Sequence, residues 1–504
     1  MVCIEASDQF AASSSVQAAR SLLLRDYLLL LAFSWLLGLA GILCSPLQGH
    51  DEPRVAGIAR AMALTGDYLT PRLNGRPFLE YPSLGYVPSA LGLRLAGRPS
   101  EFAARLPIVT LGGGTVLLVA YAGSLLGGRR RSLAAGYLLQ TTAGFIDLQH
   151  KLVVDPVLVF CVTLCMVGFI AAWKRGSRAG RFSFWLGLAF GFLAKGPVGI
   201  GIPLCGVLGF CSLLQVMRWL HRTEARAWPP VGWLWGPFVT LGLIAIWMAA
   251  TRASGGASLA QEVVRQSVER FVSEHADHAA PWHAYLGPVC YVTFPLLALA
   301  LADVWTARLR RSRPAPRLGV DFLLSTCWLG FGLVALSIAS AKRSIYLAPL
   351  LPGAALAGAE LWQRVRARLA IGRSWEWAWL AANAAAVLAL GGIAAHGARP
   401  ERDPRELFSF VRSQRADRML VLYRPSEGLE GAAFFYAGEV VSEARSPEDL
   451  AAILGDQQGA FVIAGAREQN DVSGIDFLEG RARRVAHFSI GESPTEIWSV
   501  DPRD

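Results

Sequence analysis

Two carboxylates stand side by side at Asp51 and Glu52, and Arg54, Arg60, Asp67, Arg72, Arg76 and Glu80 follow in the same stretch. Further along come Asp155, Lys195, Arg265, Arg270, Lys342 and Arg343, with Tyr346 beside the last pair. These types suit a displacement in which a carboxylate takes the proton of an attacking hydroxyl. The arginines and lysines offset negative charge on a phosphate leaving group as its bond breaks. One base and several clamps suffice, and the chemistry requires no cofactor. Alone, the acidic pair also reads as helix capping, and Lys195 as a side chain snorkelling from a helix end. The motif His275-Ala-Asp-His278 adds a second possibility. At i, i+3 its imidazoles share a helix face, and with Glu80 they would form a two-nitrogen, one-carboxylate zinc site; otherwise they are two solvated histidines.

Such residues need a scaffold, and the composition says what kind. The 504 residues are 53% hydrophobic and only 17% charged, with a mean hydropathy of +0.38, which is too apolar for a soluble chain of this length. Apolar segments at 24–43, 106–127, 132–148, 153–173, 182–195, 197–217, 229–250, 285–305, 320–340, 345–362 and 375–395 predict about eleven membrane-spanning helices. The net charge of +10 does not point to nucleic acid, because the arginines cluster between apolar runs. Clusters at 129–131, 174–181, 218–226, 308–317 and 364–373 all fall on one side, which the positive-inside rule makes cytoplasmic. The chemically suggestive residues then gather on the opposite face. The apolar run 83–97 is expected to be interfacial or re-entrant, since a full span there would reverse every later loop. The eight cysteines lie in the N-terminal tail or in apolar runs and imply no disulfide framework.

The expected organisation is a cytoplasmic tail over 1–23, a membrane domain over 24–397 and a soluble α/β domain over 398–504 on the outer side. In that last part Met419–Tyr423, 460–463, 485–490 and 496–500 read as strands, and Pro447–Leu454 as a helix capped by Ser446. No nucleotide loop or catalytic cluster marks this domain, which reads as a lid or docking module.

The stretch His50-Asp-Glu-Pro-Arg54, then Gly66-Asp-Tyr-Leu-Thr-Pro-Arg-Leu-Asn-Gly-Arg-Pro-Phe-Leu-Glu80 and Pro82-Ser-Leu-Gly-Tyr86, resembles the first outer loop of GT-C glycosyltransferases. It is similar in particular to the family joining protein O-mannosyltransferases to the lipid A aminoarabinose transferases. Phe102-Ala-Ala-Arg-Leu-Pro107, Val154-Asp-Pro156, Ala194-Lys-Gly-Pro197 and the segment 342–352 continue the likeness over nearly the whole membrane domain. The resemblance implies a GT-C fold in a bacterial inner membrane. It also implies a polyprenyl-phosphate sugar donor and a lipid A, protein or envelope-glycan acceptor, with membrane lipids around them. By position, Asp51 matches the catalytic base, Glu52 its neighbour and Asp155 a second acidic residue of the outer loops. Arg54, Lys195, Arg270, Lys342, Arg343 and Tyr346 fall near positions that address the carrier phosphate, and related aminoarabinose transferases carry a metal near the histidine loop. Where the family often reads Glu-Lys-Pro-Pro, this chain has Glu80-Tyr81-Pro82-Ser83, without the lysine. A lipid-linked-sugar transporter, or a carrier-binding relative without activity, is the alternative. Charges at one interface and the lack of a recognisable repeat weigh against transport.

Overall fold

The computed structural model describes residues 24–43, 45–78, 80–221, 231–253, 280–309, 318–372, 403–415, 418–454, 459–465, 482–490 and 493–500, with scattered positions between 378 and 385. Among these residues seven helices are long and apolar enough to cross a membrane. They become eight if Trp282–Val292 and Leu296–Leu309, which meet at 82°, count as one broken span. This is a multi-pass membrane protein.

The Glu101–Gln140 helix counts once there, but Gly127 and Gly128 leave helical geometry and Gly128 takes a φ of 72°. Ser132 Oγ donates to Ala120 O across the break at 2.6 Å, so the two arms fold back on one another. The segment expected as a single span at 132–148 is therefore corrected. Its helix ends at Gln140, and Ala143–His150 is a separate short helix beyond the Thr141–Thr142 turn. Arg178–Lys195 is too charged to count by apolarity, yet it packs tightly along Asp155–Arg175. Small residues allow this approach: a Cβ at Gly168 would lie 2.5 Å from Phe184 N, and one at Gly187 2.6 Å from Cys165 N. The expected span at 375–395 lies outside the described residues at most positions. The run 83–97 crosses nothing, giving a 3₁₀ turn at Ser83–Gly85 and the short Val87–Ala96 helix.

Charges sort to the two ends of the bundle. Lys174 pairs with Asp321 at 2.6 Å and Arg131 with Glu360 at 2.7 Å, bringing four helices together at one end. Asp155–Arg175 runs from that end to the other, and at 1.5 Å per residue it covers about 30 Å, one hydrocarbon thickness. Asp303 is buried between Arg368 at 2.6 Å and Arg364 at 3.0 Å. Those arginines reach it from the Leu351–Leu369 helix packed alongside.

Beyond residue 403 a five-stranded sheet runs in the order Ser442–Ala444, Met419–Tyr423, Ala460–Gly465, Ser493–Val500, Ala482–Ile490. The first three strands are parallel and the last two add antiparallel. Pro404–Arg415 and Glu427–Ala437 cover one face through Leu407, Val411, Leu429 and Ala432. Leu450 of Pro447–Leu454 packs on the other face. Ser446 Oγ accepts from Asp449 N at 3.1 Å, the cap the sequence predicts.

Candidate active site

A turn through Gly49, at a φ of 63°, delivers the chain to the Asp51–Thr65 helix. Asp51 and Glu52 are thus successive residues of a first helical turn, about 100° apart around the axis, and they face different surroundings. Asp51 is a quarter exposed. Its Oδ1 accepts from Arg54 Nη2 at 2.8 Å and its Oδ2 from Arg343 Nη2 at 2.5 Å. Burial pushes the Asp51 carboxyl up. The Arg343 hydrogen bond and the charges of Arg54, Arg343 and Lys195 outweigh that and hold it below its ordinary value.

Glu52 turns inward. Oε1 accepts from Leu152 N at 2.7 Å, and Oε2 accepts from Gln48 N at 2.7 Å and from the buried Arg105 at 2.6 Å. Arg105 also donates to the carbonyls of Ser45 and Pro46, each at 2.7 Å. With both oxygens engaged, the Glu52 carboxylate pins the loop that presents Asp51.

Asp155 opens the Asp155–Arg175 helix and Lys195 closes the neighbouring one, so each charge complements its helix dipole. The two meet at 2.6 Å, both buried. The rings of Tyr346 and Tyr81 lie 4.7 and 5.4 Å from Lys195 Nζ, an aromatic flank that favours the cation. Tyr81 thus stands against a lysine at the point where the family often has one. Its neighbour Ser83 accepts from Trp247 Nε1 at 3.2 Å.

Arg54 is likewise shared. Besides Asp51 it reaches Glu427 at 2.6 Å and Glu80 at 3.2 Å, and its guanidinium lies 5.5 Å from the centroid of the Phe78 ring. Burial opposes its charge, but Glu80, Tyr86, Asp51 and Glu427 together make it harder to deprotonate than a free arginine. Lys342 donates to Ala339 O. Of the residues predicted from the sequence, Asp51, Arg54, Glu80 and Arg343 form one connected charge cluster. Asp155, Lys195 and Tyr346 form a second that acts on the first through Lys195. Arg270, His275 and His278 lie outside the described residues. Among the described residues no group of three histidine, cysteine or carboxylate side chains is set to hold a metal ion, and Glu80 is already engaged by Arg54. Two residues escaped sequence reasoning: Arg105, whose motif was noticed but not its pairing, and Glu427, from the C-terminal domain.

A helical bundle with a first-loop carboxylate, basic partners from later loops and an appended α/β domain defines a membrane protein of the GT-C type. Its fold matches the crystal structure of ArnT from Cupriavidus metallidurans bound to undecaprenyl phosphate. The TM-score is 0.71 at 16% identity, covering 94% of this chain and 97% of that one. Residues 25–253 match the family model described as dolichyl-phosphate-mannose-protein mannosyltransferase. The chain is 32% identical over 338 residues to the undecaprenyl phosphate-α-4-amino-4-deoxy-L-arabinose arabinosyl transferase of Pseudomonas aeruginosa, 64% of this chain and 58% of that protein. To the protein so named from Pectobacterium carotovorum it is 29% identical over 95% of its length and 83% of the relative's. The chain thus matches this mannosyltransferase family model over part of its length and shares the fold of ArnT, and it spans only a little over half the length of the first curated relatives it matches.

Proposed function

We propose that this protein is an inverting glycosyltransferase that moves a sugar from an undecaprenyl-phosphate donor to an acceptor on lipid A, a protein or an envelope glycan. The observation that carries the reading is Asp51: an ionised, quarter-exposed carboxylate held between Arg54 and Arg343 in the first loop of a GT-C fold. Asp51 removes the proton of the acceptor hydroxyl as its oxygen attacks the anomeric carbon from the face opposite the phosphate, which inverts that centre. Arg343, paired with Asp51, and Lys342 beside it in the chain carry the charge that offsets the phosphate as it leaves. Asp155 holds the Lys195 ammonium in place, and that charge is one of those that lower the Asp51 carboxyl. By the positive-inside rule the arginine clusters support a cytoplasmic N-terminus, with the site and the C-terminal domain on the periplasmic face of the inner membrane.

The test is mass spectrometry of lipid A, envelope glycans and secreted proteins from cells carrying wild-type protein or Asp51→Asn. A sugar-sized mass present with the wild type and absent with the variant is the expected result and identifies the acceptor. Asp51→Asn should still fold and bind undecaprenyl phosphate. Identical pools, with both proteins expressed, would return the chain to carrier binding or transport; aminoarabinose is the first mass to seek, given the relatives' name.

A further inference from the structure

The Glu427–Ala437 helix of the C-terminal domain lies along the Asp51–Thr65 helix in backbone contact. A Cβ at Gly431 would lie 2.4 Å from Pro53 O and 2.5 Å from Arg54 Cα. A Cβ at Gly57 would meet the Gly431 backbone at 2.7 Å, and one at Gly428 would lie 3.0 Å from His50 Cα. At Gly57 and Gly431 any side chain larger than hydrogen would force the backbones apart, and at Gly428 it would be tight, so the two helices register residue against residue around Asp51. Charge then locks both ends. Glu427, in the first turn, takes Arg54 Nη1 at 2.6 Å, and Arg60 donates to the carbonyls of Phe434, at 3.1 Å, and Phe435 in the last turn. Arg54, Gly57 and Arg60 recur at i, i+3 and i+6, one stripe of the Asp51–Thr65 helix.

We propose that Glu427 is a positioning residue of the candidate active site, supplied by the C-terminal domain, which holds Arg54 so that its other amino group meets Asp51. This rests on the glycosyltransferase reading above. A guanidinium is a rigid planar fork, and fixing one arm aims the other. Here Nη1 is fixed by Glu427 and Glu80, and Nη2 then points to Asp51 Oδ1 at 2.8 Å. Arg54, with both terminal amino groups on carboxylates, is a bridge between base and domain, and donor phosphate falls to Arg343 and Lys342. The domain is then a working part of the site, and Gly428 and Gly431 are the residues that let it close on the base.

The experiment uses the full-length chain with Glu427→Gln, which removes one half-exposed charge, and Gly431→Val, which forces the helices apart. Three quantities are read: sugar transfer in cells, affinity of the purified protein for undecaprenyl phosphate, and amide hydrogen exchange over residues 51–58. In Glu427→Gln, transfer should fall about fivefold or more while carrier affinity stays within about twofold of wild type, a split that general destabilisation does not produce. Exchange over 51–58 should quicken in both variants. Tighter carrier binding by Glu427→Gln overturns the proposal, since it would mark Arg54 as a phosphate clamp that Glu427 partly neutralises. Wild-type transfer by Glu427→Gln overturns it equally. If the wild-type chain itself adds sugar to no acceptor, the functional reading falls instead, and exchange alone judges the contact: quickening retains it and no change overturns it.

Discussion

At the scale of single residues, the site depends on which of two adjacent carboxylates is free to act. Asp51 is ionised well below neutrality because Arg343 and its neighbours hold its pKa down against burial. Its titration therefore lies on the acid side of an ordinary aspartate, and transfer should be flat from mild acid through neutrality as far as this group is concerned. Arg343→Ala removes a positive partner, so the Asp51 pKa rises and the acid limb of the rate moves to higher pH. A pH profile on membranes containing each protein checks this, and an unmoved limb would remove Asp51 as the titrating base. Glu52 behaves differently. Glu52→Gln leaves Arg105 buried without its counter-charge, which should cost about 3 kcal/mol and show as a large drop in melting temperature. Asp51→Asn, at a wetter position, should melt near wild type. The sequence shows both carboxylates and the cations around them, but not this division of labour. Adjacent helical residues must diverge in direction, and only the Arg105 partner, far along the chain, decides which one turns inward. Arg54 poses the same difficulty, since its partners Glu80 and Glu427 come from segments whose proximity no local pattern encodes.

At the scale of elements, the site is held by helix ends, and helix ends are held by packing. Asp155 and Lys195 terminate the two arms of a hairpin whose arms touch through glycine. Gly168→Leu puts a branched side chain where even a Cβ would crowd Phe184 N and Gly180 O. It should separate the arms, lower the melting temperature in detergent by several degrees, and reduce transfer by pulling Lys195 away from Asp155. Retained melting temperature and activity would show that the hairpin does not position this pair. Hydropathy locates most of the helices because hydrocarbon demands long apolar runs. It is blind to breaks inside those runs. The turn at Thr141–Thr142 and the 82° bend before Leu296 both sit inside long apolar runs, where the polar triplet Gln140-Thr141-Thr142 and Pro295 are the available local signals. The Glu427–Ala437 helix was missed for the opposite reason. Its two glycines depress helix propensity, yet they are present because another helix must come close.

At the scale of the whole molecule, the C-terminal domain is joined to the membrane domain by polar contacts as well as by glycine packing. Asn74, on the first-loop hairpin, donates to Val441 O at 2.8 Å and accepts from Val441 N at 2.9 Å. Nearby, Glu430 and Glu443 share Arg76 from the hairpin and Arg445 from their own domain. Two carboxylates in one half-buried place cannot both ionise freely. Burial first, and then the Glu443 charge, push Glu430 up to about 7, even though both arginines pull it down. A carboxyl whose folded pKa exceeds its unfolded one binds its proton more tightly in the folded state. Its stabilising contribution is whole below about pH 4.5 and is lost as pH rises through about 7. Glu430→Gln fixes the neutral form, so the variant should gain about 2 kcal/mol over wild type at pH 8 and nothing at pH 4.5. Thermal unfolding of both proteins between those limits gives the test: the two curves should coincide in acid and diverge through neutrality. Parallel curves would mean that the arginines keep Glu430 charged at no cost, and that this junction is insensitive to pH.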